Sequence, residues 1–125
     1  MNGIVDESGR ALIELTLSAT DNSNSITIPV WINTAFTGEL VVASEIITKL
    51  QLRQSGAIRA GLADGGEVVL STYSCTIHWL DTSRNVEVIA NEGKFPLLGI
   101  ALLKDCFLAI NYPARTLVIS YSPKT

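Results

Sequence analysis

Residues 11–19 (ALIELTLSA) alternate without a break, with Ile13, Leu15, Leu17 and Ala19 on one side and Glu14, Thr16 and Ser18 on the other. A period of two is the pattern of a half-buried β-strand. Residues 26–32 (ITIPVWI) repeat it, with Ile26, Ile28, Val30 and Ile32 directed inward. Pro29 falls on the opposite face and cannot donate to a ladder, so one side of this strand is expected to be an edge or a bulge there. The intervening DNSNS at 21–25 reads as a turn built from residues that hydrogen-bond their own backbone. Its alternating Asp21, Ser23 and Ser25 resemble a calcium loop. The required glycine at the sixth position and glutamate at the twelfth are missing, Ile32 occupying the latter, so calcium is excluded.

The rest of the chain continues in the same style. After an NTAFTG turn, ELVVA is a short strand, followed by a short helix. Ser44 is the expected N-cap of that helix, Glu45 lies in its first turn, and Ile46, Ile47 and Leu50 form its apolar face. Segment 61–80 reads as a hairpin with Ala63-Asp64-Gly65-Gly66 as its tip and Glu67 to Leu80 returning, Asp-Gly being a strong tight-turn signal. Val86, Val88 and Ala90 mark another strand. PLLGIALLKDC at 96–106 begins as an apolar strand and passes through Gly99 into a helix. Two last strands follow near 107–112 and 116–121, with Pro113 and Ala114 between them. With no repeat and no linker, the expectation is one mostly β domain over residues 1–125, of about nine strands and two short helices.

Composition narrows the function. The chain is 47% hydrophobic over 125 residues, enough for a core, and its formal net charge is −3. Lys and Arg are scattered thinly and form no stripe that would track a phosphate backbone, which argues against nucleic acid. Cys75 and Cys106 are too few for a disulfide framework or a zinc site and read as buried free thiols, so no metal and no cofactor are expected. The longest apolar run, Pro96 to Leu103, is far short of the roughly 20 residues of a membrane span. The first ten residues lack a secretory pattern, and the expected location is cytoplasmic.

Two apolar strands each run into a glycine-containing turn, VWINTAFTG at 30–38 and FPLLGIALL at 95–103. This pair resembles the retropepsin-like aspartic proteases, in the cellular and bacterial branch that carries Asp-Thr-Gly/Ala-Phe-Thr-Gly followed by Glu/Phe-Leu. Thr34, Ala35, Phe36, Thr37, Gly38, Glu39 and Leu40 match that loop. Leu97, Leu98 and Gly99 match the later hydrophobic-hydrophobic-glycine motif, and Leu102 and Leu103 the helix behind it. Ala63-Asp64-Gly65 resembles the flap tip. The resemblance covers about residues 10–121. It implies a closed acid-protease barrel with two short helices and a flap hairpin, assembled as a homodimer. It also implies an endopeptidase acting on a peptide or protein substrate between hydrophobic residues, with Asn33, Thr34 and Ala35 at the catalytic loop and Ala63, Asp64, Gly65 and Leu98 against the substrate. Thr34 would hydrogen-bond across the two-fold axis, and the strands near 11–19 and 115–121 are candidates for dimer contacts. One such loop per chain supplies one side of a dyad, so two copies are needed.

Asn33 departs from the pattern, which has aspartate there. An amide cannot act as a general base near neutral pH, so this form is expected to be inactive. An engineered Asp-to-Asn exchange is the expected origin. The alternatives are a natural pseudoprotease that binds peptides or dimerises, and a small β-barrel with a coincidental loop. Other residues have plainer readings. His78 is a strand residue without a catalytic role, Trp31 and Trp79 are packing residues, and Asp64 is a turn former. Glu39 is a surface or hydrogen-bonding group, and Asp105 ends its helix in solvent.

Overall fold

The computed structural model describes residues 1–20, 24–91, 93 and 95–121. Most of the turn expected at 21–25, with its calcium-like pattern, lies outside them. Among the described residues ten strands form one sheet: β1 (Asn2–Val5), β2 (Ala11–Ser18), β3 (Ser25–Ile32), β4 (Leu40–Ala43), β5 (Arg53–Gly61), β6 (Glu67–Trp79), β7 (Thr82–Asn91), β8 (Leu97–Leu98), β9 (Cys106–Asn111) and β10 (Thr116–Tyr121). Two short helices, α1 (Ser44–Leu50) and α2 (Ile100–Leu103), complete the chain.

The sheet order is β5-β6-β7-β4-β8-β3-β2-β1-β10-β9, and β6 also pairs with β2. That extra pairing closes β2, β3, β8, β4, β7 and β6 into a ring. From the ring, β5 flares outward on β6, and β1, β10 and β9 flare from β2. The core fills the inside. Leu15, Leu17, Val30, Leu40, Val42, Val88, Leu98 and the full ring of Trp79 are sealed from solvent. The alternation of β2 and β3 is obeyed: Ile13, Leu15 and Leu17 are buried, Glu14 is exposed, and Val30 and Ile32 are buried between exposed Pro29 and Trp31. Burial of a large aliphatic side chain contributes about 1.5–3 kcal/mol, so this periodicity fixes which face turns inward. Pro29 faces a partner only on the β2 side, opposite Glu14. The β8 pairing on the other edge starts at Trp31, so the missing donor costs no ladder bond.

The structure corrects several expectations. Among the described residues there are ten strands, the additional one being β1, which pairs with β10 and β2. Helix α1 begins at Ser44 itself with Ala43 in the capping position, so Ser44 is not the N-cap. The strands at 11–19 and 115–121 are engaged within the chain, β2 by β3, β1 and β6, and β10 by β1 and β9. The outermost strands of the sheet order are β5 and β9. Cys75 is buried, but Cys106 is only half-buried.

Candidate active site

The turn after β3 is held by the segment that comes after β7. Strand β8 lies parallel to β3 on one side, Trp31 opposite Leu97 and Ile32 opposite Leu98. On its other side it runs antiparallel to β4, Leu40 opposite Leu98 and Val41 opposite Leu97. Residues 33–39 therefore join two strands that straddle β8, like the bend of a fork. The bend is then stitched to the end of β8 and the start of α2. Asn33 donates its backbone N–H to the Leu98 carbonyl (2.8 Å), Gly99 to Glu39 (2.9 Å), Ile100 to Phe36 (2.9 Å) and Ala101 to Gly38 (3.2 Å). Phe36 N–H closes the turn onto the Asn33 carbonyl at 3.1 Å. Gly99 is required by close approach: a Cβ there would overlap the carbonyl oxygens of Gly38 and Phe36.

The structure thus brings Asn33, Thr34 and Ala35 together with the Leu98 backbone. Asn33 is half-buried, and its Oδ1 accepts the Ala35 N–H at 3.0 Å. Thr34 and Ala35 are exposed at the crest of the loop. The amide offers donors and an acceptor but no base, and residues 33–38 contain no carboxylate. Glu39, half-buried just beyond it, is already engaged. One of its oxygens accepts the Glu87 N–H (3.0 Å), and the other lies 3.7 Å from the Arg84 guanidinium. That is the hydrogen-bonding role expected of it.

Leu98 was expected against the substrate, and its side chain points into the core. It is sealed in the core, and its contribution to the loop is its carbonyl. In a two-residue strand the faces alternate, so it is half-buried Leu97 that shares the outer side with Trp31. Trp31, 38% exposed, packs on the outer face of the sheet and not in the core. Its ring meets Phe95 edge-on with centroids 6.1 Å apart, and the Arg10 guanidinium sits 4.4 Å from the Phe95 ring and 5.8 Å from the Trp31 ring. Asp6 fixes that cation through a 2.8 Å contact to Nε. The Arg10 backbone N–H on Asp6, assisted by the guanidinium, holds the Asp6 carboxyl below its ordinary range. This aromatic-cationic wall beside the loop was missed in the sequence. Its signal was the outward phase of Trp31 in the 26–32 alternation.

Ala63, Asp64 and Gly65 form the tip of the β5–β6 hairpin, as expected. Leu62 donates to Gly66 (2.8 Å), Gly65 adopts a φ of +89°, and Asp64 accepts the Gly66 N–H at 2.8 Å, the turn-forming role. Among the described residues no hydrogen bond joins this tip to the Asn33 loop. Leu62 and Val69 lie at least half in solvent there. His78 is exposed on β6, Trp79 is buried, and Asp105 is exposed just past α2. Among the described residues no three His, Cys, Asp or Glu side chains gather to hold a metal, and no helix is long and apolar enough to cross a membrane.

No protein-family model and no curated protein matches the sequence. Solved structures do match in shape. A retropepsin-like aspartic protease from Rickettsia conorii superposes with a TM-score of 0.66 over 97% of this chain and 89% of that one, at 16% identity. EIAV protease complexed with the inhibitor HBY-793 gives 0.58 over 80% and 90%, at 17% identity. The simian foamy virus (mac) protease gives 0.51 over 74% and 92%, at 14% identity. The chain has the retropepsin-like fold.

Proposed function

We propose that this chain is one protomer of a homodimeric retropepsin-type endopeptidase, silent in this form because Asn33 stands where the catalytic aspartate belongs. The observation that carries the reading is the interlocked loop. Residues 33–39 are clamped by β8 and the start of α2, while exposed Thr34 and Ala35 crown the turn, as a loop that meets its own copy across a two-fold axis requires. An extended peptide would lie between this loop and the β5–β6 hairpin, its apolar side chains against Leu97, Trp31 and Phe95. A single isosteric exchange in an otherwise matching loop favours a substitution introduced to stop self-cleavage. A natural pseudoprotease instead requires an asparagine codon at position 33 in the source genome.

The test compares this chain with Asn33→Asp, prepared side by side, with new peptide products identified by mass. The chain as it stands should cut nothing. The variant should cleave itself or an unfolded protein and be blocked by a statine-type transition-state mimic. Two carboxylates at one axis resist joint ionisation, so activity should peak on the acid side of neutrality. A variant that folds, dimerises and leaves a diverse peptide library intact from acid to neutral pH refutes the protease reading. A peptide-binding module then takes its place.

A further inference from the structure

Away from the Asn33 loop the ring has a gap. Strand β2 pairs with β1 only through Ala11 and Leu12 and with β6 only through Leu17 and Ser18. Residues 13–16 therefore have no strand partner on that edge. β1 leaves β2 there to run along β10, Asn2 opposite Val118. A hollow of about 270 Å³ opens in the gap. Gly3, Ile4, Leu12, Ile13 and Pro29 supply its apolar walls, and Glu14 is its one ionisable group. Ile4 stands 58% in solvent beside it. Glu14 is exposed, and its carboxylate has no ion pair or hydrogen bond among the described residues, unlike Asp6, which Arg10 neutralises.

The geometry points to a binding site for a basic side chain, lysine or arginine, presented by a partner polypeptide. The hollow is smaller than the roughly 300–1,000 Å³ of a site for a drug-sized ligand, so it has room for one long side chain. A neutral apolar occupant would strip water from the Glu14 carboxylate and give nothing back. A lysine lays its hydrocarbon stem on Ile4, Leu12 and Pro29 and brings its ammonium to that carboxylate. An arginine reaches the same carboxylate with its guanidinium fork, so the site suits either basic side chain, and lysine is the simpler probe. The net charge of −3 favours a basic partner. This assignment goes beyond the proteolytic reading and does not depend on Asn33.

The test uses the isotope-labelled full chain and two probes, Nα-acetyl-lysine amide and its uncharged analogue Nα-acetyl-norleucine amide. Amide shifts should move at Gly3, Ile4, Ile13 and Glu14 with the lysine probe at millimolar concentration, and the shifts should shrink as salt is added. Glu14→Gln should weaken the lysine probe roughly two- to five-fold, the range of an exposed ion pair, while the rest of the spectrum shows the fold intact. Equal binding of the norleucine probe, or no movement at these amides, overturns the assignment. So does a set of shifts at these amides that grows with protein concentration alone, since that places a second copy in the hollow.

Discussion

Replacing Gly99 by alanine tests whether the loop is held by its backbone clamp. The added Cβ would meet the carbonyl oxygens of Gly38 and Phe36, both backbone, so no flexible side chain can swing aside. Relief requires α2 to move off the loop. That movement breaks the bonds from Gly99, Ile100 and Ala101 to Glu39, Phe36 and Gly38. At about 1 kcal/mol each the three bonds account for roughly 3 kcal/mol, and an overpacked site that keeps them costs about 1–3 kcal/mol instead. Either route lowers stability by about 1–3 kcal/mol, which for a chain of this length lowers Tm by about 4–12 °C. Gly61→Ala is the control. A Cβ at Gly61 would meet nothing within 4 Å and its φ is not positive, so the variant should be neutral or gain about 0.5 kcal/mol through the unfolded chain. Urea and thermal melts of both variants give the answer. In the Asn33→Asp background, Gly99→Ala should also reduce kcat. Equal melts for Gly99→Ala and the parent would refute the clamp.

Four further outcomes are expected. Light scattering should give about twice the 13.4 kDa chain mass, and a clean monomer at micromolar concentration counts against the dimer. Burial pushes the Cys75 thiol up to about 11. With the folded value raised, its contribution to stability is complete below the ordinary thiol range and disappears as pH rises from about 9 to 11. The loss approaches about 3 kcal/mol, and Cys75→Ala should flatten this alkaline limb in urea melts. Acrylamide should quench Trp31 and spare Trp79, which is fully buried, and a bound apolar peptide should protect Trp31; quenching unchanged by an inhibitor that binds Asn33→Asp removes Trp31 from the groove. Asp64→Ala should speed hydrogen exchange at Gly66, whose N–H it accepts, while changing global stability by less than about 0.5 kcal/mol.

The parts of the fold that were legible in the sequence are those written in local periodicity. β2 and β3 carry an unbroken period of two, and the hairpin tip carries Asp-Gly. β1 was illegible because NGIV has two apolar residues, one of them exposed Ile4, and its place is set by pairing with Val118 across the whole chain. Most of β5 (RQSGAIRAG) was illegible for a similar reason. Nearly all its residues are exposed, and its partner in the sheet is β6 alone. At the site, two motifs about sixty residues apart identified the loop and its clamp together. The Arg10–Trp31–Phe95 wall comes from three separate segments with no shared motif, so only the fold assembles it. Leu98 and Leu97 differ by a single step of phase, which a two-residue strand leaves undetermined from composition.

The interlock between residues 33–39 and 97–101 sets an order of events during synthesis. The loop leaves the ribosome about sixty residues ahead of the backbone groups that fix it, and until Leu98 to Ala101 emerge its N–H and C=O groups have only water to bond. A nascent chain therefore carries the sequence of the loop without its shape. The loop takes its shape only once residues 98–101 have been made and docked against it.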